Sequence, residues 1–524
     1  MSIQHISDIS KIYDFWFDPK NSHIHFNPSK DDDILITLIF QDLHTNLTSL
    51  TFDDLTKLNL KDSISYIILY DQITRHIYRN NQESINYYLN KILTFVKYFY
   101  DKSKDNLNLD EFCFTLLPLR HTNNTNDIFF VIKETWNRIK LGQKLNRFIT
   151  ATYTRYLKFN DDTDNLEYYH YNKDNKVRKL NTVLSSILAE TCVLGDVLIK
   201  SKYDLIKCDY LDKSKKYIIS LSGGVDSMVT SYIMKNLGFK IVGVHISYMN
   251  RDVCELEIKL IKHWCDIIEI DLYYRKINEI HRAPCMEFGL RDIYESYTRD
   301  IRFNAYRNTA KILKQDVPQV LLGHNNDDAF ENILTNISSL SHMDNLTGME
   351  KQLIISNINF IRPMLDTPKK NIYKFAQEHF IPYLPTSTPE WSQRGKIRDK
   401  VRPALEEWNP IMVNSMFKLS AKITSMSKLV DMFVKKTYDD IKLDKYLEID
   451  INDLNLEEYY WDKLYKMLGF NVSLKSLNNF LEKLVFIKIN NDRFKIDEIT
   501  KLNLNKDVQI KFKKINDNIY HLSF

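Results

Sequence analysis

The sequence predicts an α/β fold, with a parallel-sheet domain in mid-chain, an all-α domain before it and a small α+β region after it. Apolar, β-branched runs alternate with helical periodicity between residues 215 and 410, which is typical of βαβ units. Nine of the eleven glycines fall between Gly195 and Gly395, and none precedes Gly142, so the tight turns belong to the middle of the chain. The predicted divisions are a helical domain at 1–165, a connector at 166–214, the parallel-sheet domain at 215–410 and the α+β region at 411–524.

Composition narrows the class of protein. Charged residues make up 27% of the 524 positions and hydrophobic residues 44%, which is typical of a globular chain. No apolar run approaches the ~20 residues of a membrane span, and the first thirty residues lack the pattern of a signal peptide. Six cysteines without a CxxC pair favour a reducing compartment, so we expect a cytoplasmic protein with unpaired thiols. The net charge of +4 alone does not indicate nucleic-acid binding.

The first 165 residues read as mostly helical, with several apolar stripes. Asp71, Arg75 and Arg79 are spaced to share one helix face. With His121 they form either a polar pocket or a network that braces helices. The stretches ISYIILYDQITRHIYRN and FTLLPLRHT resemble a bacterial TPR-like helical-repeat family of unassigned function. The Asn- and Asp-rich segment that follows predicts a solvated connector, with a helix near 180–200.

The middle of the chain predicts five strands whose carboxyl ends share one edge. They lie at 217–221, 240–246, 266–272, 319–323 and 358–361. In open α/β sheets, ligands bind beyond the carboxyl ends of the strands. Three polar stretches should therefore meet there: Ser222 to Ser227, His245 to Arg251, and Gly323 to Glu331.

The first strand runs into Ser222-Gly223-Gly224-Val225-Asp226-Ser227 and then into a helix that Gly238 closes. Paired glycines before a helix N-terminus form an anion cradle, and the absence of a GxxxxGK[ST] pattern excludes a Walker A loop. The alternative is an ordinary turn with an Asp/Ser cap. The stretch resembles the SGGxDS signature of the PP-loop (adenine nucleotide alpha hydrolase-like) pyrophosphatases. That resemblance implies cleavage of ATP between its α and β phosphates and an adenylated intermediate.

The second strand ends in VGVHISYMNR, which resembles the lysidine synthetase and 2-thiocytidine synthetase branch of that family. His245 and Arg251 match the branch, but Tyr248 stands where it has a second histidine. The alternative for His245 is a core histidine bonded to backbone.

Glu295, Arg299 and Arg302 lie within one helix face and resemble the branch's E-x-x-A-R-x-x-R-Y element. Guanidinium groups bind phosphate or carboxylate bidentately, so this face is a candidate contact for RNA. The alternative is an exposed Glu–Arg pair on a helix surface.

His324, Asp327, Asp328 and Glu331 resemble the branch's H-x-x-D-D-x-x-E-T element. Neighbouring acids repel unless a cation neutralises them, and Mg²⁺ binds through one or two carboxylates plus substrate phosphates. The alternative is a solvated helix start with an Asp cap.

A basic stretch follows an R-P-L-L-like segment at Arg362. Arg394, Arg398 and Pro403 match the branch's R-N-x-I-R-x-x-x-x-P element, but Gly395 replaces its Asn, and its D-x-S-N is not recognisable at 385–390. With Trp391, these arginines could grip phosphate and stack a base. The alternative is a solvated basic loop. The tail predicts a helix over 412–438 and then short strands, without a motif.

The resemblance implies an ATP-dependent ligase that adenylates a tRNA cytidine, releasing pyrophosphate and then AMP. ATP, Mg²⁺ and tRNA would be its partners, with free lysine as nucleophile. Open alternatives are tRNA thiolation, a small-molecule adenylating ligase and a degenerate nucleotide-binding module, and the oligomeric state is not indicated. The implied site residues are Asp226, His324, Asp327, Asp328 and Glu331 for catalysis; Ser222, Gly223, Gly224, Val225, Asp226, Ser227 and His245 for ATP; Arg251, Arg299, Arg302, Arg394 and Arg398 for RNA; and Asp226, Asp327 and Asp328 for the metal.

Overall fold

The computed structural model describes most of the chain. The predicted helix near 180–200, the segment at 385–390 and Trp391 lie outside the described residues. The described ranges are 8–25, 28–160, 165–172, 210–251, 253–338, 348–384, 393–454, 456–470, 472–504 and 508–524.

The amino-terminal part is all-α, as predicted. Asparagine, serine and threonine caps begin many of its helices, and capping boxes start the helices at Lys30, Phe52 and Leu109. A π-helical turn at Leu69–Ile73 joins two of them. The helices are α1 (Ser10–Trp16), α2 (Lys30–Asn46), α3 (Phe52–Leu55), α4 (Leu60–Ile68), α5 (Thr74–Ile77), α6 (Gln82–Ser103), α7 (Leu109–His121), α8 (Thr125–Lys140) and α9 (Asn146–Phe159).

The central sheet has seven strands in the order β1-β4-β3-β2-β5-β7-β6. β2, β3, β4, β5 and β7 run parallel, while β1 and β6 pair antiparallel at the two edges. The chain leaves β2 first toward β3 and later returns on the other side as β5, so the switch point lies between β2 and β5. The strands are β1 (Leu166–Tyr169), β2 (Lys216–Ser220), β3 (Lys240–Ser247), β4 (Leu272–Lys276), β5 (Gln319–Leu321), β6 (Gln352–Ile355) and β7 (Ile358–Ile361).

Four of the five predicted strands coincide with observed ones, and the strand predicted at 266–272 is wrong. Residues up to Ile268 continue a helix, which ends at Glu269 in the left-handed conformation (φ 54°). The strand starts only at Leu272. The sequence also did not predict the edge strands β1 and β6.

Helices cover both faces of this sheet, and their buried sides form its apolar core. The helices of this part of the chain are α10 (Val225–Asn236), α11 (Cys254–Ile268), α12 (Arg282–Glu287), α13 (Arg291–Ile312), α14 (Asn326–Ser338), α15 (Lys369–Glu378), α16 (Gln393–Lys396) and α17 (Arg402–Trp408), with a π-helical turn at Ile397–Val401 between the last two.

The carboxyl-terminal region is α+β, as predicted, and has its own apolar core. Its sheet is antiparallel in the order β8-β11-β10-β9. The predicted helix at 412–438 extends to Asp444. The elements are α18 (Met412–Asp444), β8 (Leu447–Asp450), α19 (Glu458–Met467), α20 (Leu474–Ile489), β9 (Ile499–Asn503), β10 (Gln509–Lys514) and β11 (Ile519–Ser523).

The helical part packs directly on the α/β part through α9 and α13. The rings of Tyr153 and Tyr297 lie 4.9 Å apart, and the Tyr153 hydroxyl donates to the Glu279 carbonyl over 2.9 Å. One apolar cluster includes buried side chains of both parts. Within the described residues, no helix combines the length and apolar character needed to cross a membrane.

Candidate active site

A cleft of about 370 Å³ opens at the switch point, beyond the carboxyl ends of β2, β5 and β7. Asp226, His324 and Asp328 all line it, beside the glycine turn, as the sequence predicted. The described helical part contributes no lining residue. The lining residues are Ser220, Ser222, Asp226, Ser227, Arg302, Phe303, Tyr306, Leu322, Gly323, His324, Asp328, Ile355, Phe360 and Arg362.

Two serine hydroxyls hold the loop that leads from β2 into α10. The Gly224 amide donates to Ser222 Oγ (3.3 Å), and Ser227 Oγ donates to the Gly224 carbonyl (3.0 Å). Gly223 has a φ of +79°, and a Cβ there would stand 2.6 Å from Leu384 Cδ1. Glycine is therefore required at this position. The loop presents the first amides of α10 to the cleft, where the helix dipole favours an anion.

Asp226 follows this turn and faces two partners that the sequence did not single out. Its carboxylate forms an ion pair with Lys369 at the start of α15, and Oδ1 accepts a 3.0 Å hydrogen bond from Asn325 Nδ2. Burial raises the pKa of Asp226, Lys369 lowers it, and the nearby Asp328 carboxylate adds to the rise. Asp226 and Asp328 are thus close enough to interact across the cleft.

His324 is a neutral histidine with an assigned tautomer. Its Nδ1 accepts a 3.0 Å hydrogen bond from Arg362 Nε, so the proton of the neutral ring resides on Nε2. Burial lowers the pKa of His324 to about 4, and Arg362 adds to that effect. A neutral ring whose Nε2 carries a proton is a hydrogen-bond donor, not a base.

Asn325 begins α14, and Asp328 closes the cap. The Asn325 Oδ1 accepts the amides of Asp327 (2.9 Å) and Asp328 (3.3 Å), while Asp328 Oδ2 accepts the Asn325 amide (3.1 Å). This reciprocal pattern is a capping box. The alternative for these acids was a solvated helix start with an Asp cap, but the residue at the cap is Asn325, and Asp328 stands three positions after it. An Asn three residues before an acid is the signal that predicts this capping box.

Arginines neutralise the rest of the acidic cluster. Glu331 is only 2% exposed, and its Oε1 accepts two hydrogen bonds from Arg398 (2.9 and 2.7 Å). Arg394 Nε lies 3.1 Å from Glu331 Oε2. Arg402 forms a 2.7 Å ion pair with Asp327. The predicted catalytic acids and the predicted RNA-binding arginines of this segment are therefore partners of each other.

This pairing bears on the predicted metal site. No group of three or more His, Cys, Asp or Glu side chains among the described residues is arranged to hold a metal ion. Asp327 is turned to Arg402 and to the Lys369 amide (3.2 Å), so it does not join Asp226. The Asp226 and Asp328 pair alone remains at the cleft, which fits a Mg²⁺ ion that takes its other ligands from substrate phosphates and water.

His245 and Arg251 lie apart from the cleft lining. His245 Nδ1 donates to the Leu221 carbonyl (2.8 Å), which is the backbone-bonded alternative, and burial lowers its pKa to about 4. Arg251 forms an ion pair with Glu257 at the start of α11.

Helix α13 places Arg299 and Arg302, the two arginines of the predicted RNA-contact face, in different surroundings. Arg302 lines the cleft, but Arg299 is exposed and has its 3.6 Å ion pair with Asp300. Of these two arginines, only Arg302 is therefore among the residues that line the cleft. Glu295 pairs with Arg291 (2.7 Å), one turn earlier on the surface, and not with Arg299.

Two protein-family models match parts of this chain. Residues 197–405 match the family model described as a PP-loop domain. The chain contains a PP-loop domain. Residues 12–168 match a second model, described as a bacterial protein of unknown function (DUF924).

The PP-loop domain is similar in sequence to tRNA(Ile)-lysidine synthases. The protein of that name from Chlamydia trachomatis is 29% identical over 200 residues, and that from Chlamydia muridarum is 30% identical over 199 residues. Each match covers 38% of this chain and 60% of the relative. The chain therefore spans less than two thirds of these relatives.

Among solved structures, part of the chain is similar to the U34-tRNA thiolase NcsA from Methanococcus maripaludis. The TM-score is 0.34 at 18% identity, with 42% of this chain and 76% of that chain covered. An overlap this low has no bearing on function.

Proposed function

We propose that this chain is an ATP-dependent tRNA-modifying enzyme, and that its PP-loop domain adenylates a cytidine base as a lysidine synthetase would. One observation carries the proposal: Asp226, His324 and Asp328 converge on a cleft at the amino-terminal end of α10. The sequence similarity of this domain to tRNA(Ile)-lysidine synthases supports the substrate class.

In this proposal ATP lies with its phosphates against the Ser222–Ser227 loop. The loop amides and the Ser222 and Ser227 hydroxyls bind phosphate oxygens, and Gly223 and Gly224 allow close approach. Asp226 and Asp328 are the carboxylates that would hold Mg²⁺, which would neutralise charge on the leaving pyrophosphate. The base oxygen attacks the α-phosphorus while the bond to the β-phosphate oxygen breaks. The lysine amine then attacks the activated base carbon, and AMP leaves.

Several side chains would position these groups without taking a proton. His324 donates from Nε2 into the cleft, because Arg362 occupies its Nδ1. Arg302 supplies a fixed positive charge in the lining of the cleft. Lys369 forms an ion pair with Asp226 and can transfer its contact to a phosphate oxygen when a cation takes the carboxylate. Such preorganised charge is the main catalytic term in phosphate chemistry.

Cysteine burial disfavours the thiolation alternative among the described thiols. Cys254, Cys265 and Cys285 are buried. Burial raises the pKa of the Cys285 thiol to about 12 and that of Cys265 well above its usual range. A sulfur carrier needs an accessible thiolate.

Exchange of labelled pyrophosphate into ATP, with and without tRNA, tests the proposal. We expect exchange only when tRNA is present, because the base is the nucleophile in the first step. Exchange with a small carboxylate substrate and without tRNA would instead indicate a small-molecule ligase. No exchange under either condition, with ATP still bound, would indicate a nucleotide-binding module. Either of these two results would overturn the proposal.

A further inference from the structure

A second cluster of charged side chains lies inside the helical domain, remote from the cleft. Its centre is Asp71, whose side chain is 1% exposed. Asp71 stands in the π-helical turn at Leu69–Ile73. Such turns are rare and are found frequently at functional sites. The predicted helix face through Arg79 is wrong, because α5 ends at Ile77 and Arg79 pairs with Asp33.

Three neighbours already satisfy the Asp71 carboxylate, and one of them is the Gln72 side-chain amide, which donates to Oδ2. Arg75 donates to Oδ1 from Nη2 (3.1 Å) and Nε (3.2 Å), and His121 Nδ1 lies 2.9 and 3.0 Å from the two oxygens. Burial opposes the charge on Asp71, but His121 and Arg75 outweigh it and hold its pKa below the ordinary value.

Two further guanidiniums are then left without an acid. Arg155 donates hydrogen bonds to neutral acceptors, which are the carbonyl oxygens of His121 and Thr122 and the side-chain amide oxygen of Asn123. Among the described residues, Arg120 has no hydrogen-bond partner and no ion pair, and its guanidinium rests 4.9 Å from the Phe148 ring centre. Burial lowers the pKa of Arg120 to about 10, Asp71 opposes this, and Arg155 and Arg75 add to the lowering. Three guanidiniums thus surround one carboxylate.

A cavity of about 340 Å³ adjoins this cluster. It shares His121 with the cluster and runs along the segment 122–124 that Arg155 holds. Its polar lining consists of amide and hydroxyl groups, the His121 ring and the Asp127 carboxylate, which forms a 2.6 Å ion pair with Lys97. The amide and hydroxyl groups suit the uncharged part of a small polar molecule. The lining residues are Asn86, Leu89, Asn90, Leu93, His121, Thr122, Asn123, Asn124 and Asp127.

We propose that the helical domain binds a small anion through Arg120, with Arg155 and Arg75 contributing charge. The ligand would carry a carboxylate or a phosphate, since both match the planar donor pattern of a guanidinium. Arg120 is only partly buried, and none of its nitrogens is a buried atom that lacks a partner, so an anion can reach the guanidinium and replace water there. This site is separate from the PP-loop cleft and does not depend on the function proposed for it.

Hydrogen–deuterium exchange of the full chain tests this proposal and locates binding. Inorganic phosphate and succinate are titrated separately against chloride at matched ionic strength. We expect one of them to slow exchange in peptides covering 69–79 and 118–125, about tenfold when the anion is near ten times its Kd. Arg120→Gln should abolish this protection, while Arg120→Lys should retain part of it. Arg147→Gln, an exposed arginine on α9, is the matched control and should change nothing.

Each result of this exchange experiment either supports the proposed anion site or overturns it. Protection by phosphate alone or by succinate alone identifies the anion class. Protection confined to the Ser222–Ser227 loop reports binding at the cleft and overturns the proposal. The proposal is also overturned if neither anion slows exchange in 69–79 and 118–125, or if Arg120→Gln is protected as strongly as the natural chain.

Discussion

At the scale of single residues, Gly323 sets how closely two parts of the cleft approach. A Cβ at this position would stand 2.9 Å from both the Asp226 carbonyl carbon and the Ser227 nitrogen. These are backbone atoms of the first turn of α10, so no side-chain movement relieves the contact. At Gly224, in contrast, a Cβ would meet only Ser222 Oγ, at 3.4 Å. The two glycines therefore differ in how they tolerate a methyl group.

Gly323→Ala should weaken ATP binding about tenfold, because overpacking costs about 1–3 kcal/mol and here it separates Asp226 from His324. Lys311→Ala, at an exposed position on α13 outside the cleft lining, is the control and should bind ATP as well as the natural chain. Calorimetric titration measures both. Unchanged affinity in Gly323→Ala, or an equal loss in the two variants, would contradict the predicted site.

Buried histidines should make the fold sensitive to acid. Burial lowers the pKa of His44, His245 and His324 to about 4 each, against about 6.5 in an unfolded chain. Between these pH values the unfolded chain binds more protons than the folded one. Their contribution is therefore complete above pH ~6.5 and is lost as the pH falls toward ~4, by up to about 1.4 kcal/mol per pH unit for each histidine.

His245→Asn should reduce this slope, because the Asn amide can still donate to the Leu221 carbonyl but does not titrate. Denaturant unfolding across pH 7 to 4.5 measures it. The exposed His281→Gln serves as the control. A slope in His245→Asn equal to that of the natural chain would show that His245 does not titrate as described.

At the scale of elements, ion pairs fix α14 against α16, α17 and the turn between them. Glu331 is buried, and both Arg394 and Arg398 point at it. Burial raises the pKa of Glu331, while Arg398 and Arg394 lower it. A buried carboxylate that loses its cation is costly, whereas replacing both partners costs less.

Arg398→Ala should therefore destabilise the fold by about 3 kcal/mol, and adding Glu331→Gln should recover most of that loss. The exposed Arg299→Ala is the control and should change stability by less than ~0.5 kcal/mol. Denaturant unfolding of the single and double variants measures the coupling. Independent, additive effects would mean that the two side chains do not form this pair.

The positions of three cleft residues could be predicted from the sequence, but those of their partners could not. SGGVDS and H-x-x-D-D-x-x-E each follow a strand, so the sheet rule alone predicts that Asp226, His324 and Asp328 meet. The partners Lys369 and Arg362 come from α15 and the end of β7, and no local pattern aims them at those side chains. The sequence predicted that a metal ion neutralises the acids of the H-x-x-D-D-x-x-E segment. Only the fold shows that Arg394, Arg398 and Arg402 lie beside these acids.

At the scale of the whole molecule, α13 joins the helical part to the cleft. Tyr297 and Ile301 pack in the apolar cluster of the helical part, while Arg302 and Tyr306 line the cleft. Facing α13, α9 presents Tyr153 to Tyr297 and also carries Arg155 of the charged cluster. The domain limits proposed from the sequence stay a prediction, and their test is whether the two parts unfold together.

Tyr297→Ala should destabilise this interface by about 3–5 kcal/mol, the usual cost of removing a buried aromatic ring. We expect one cooperative calorimetric transition in the natural chain and two separated transitions in the variant. Tyr87→Ala, at a 61% exposed position, is the control and should leave the profile unchanged. An unchanged profile in Tyr297→Ala would contradict the described interface.

The identity of the products formed from ATP tests the central claim most directly. ATP labelled at the α-phosphate is incubated with tRNA, free lysine and the full chain, and the products are separated. The proposed cleavage predicts label in AMP together with pyrophosphate, and Asp226→Asn should abolish both while leaving the thermal unfolding profile intact. ADP and inorganic phosphate as the only products would contradict the proposed chemistry.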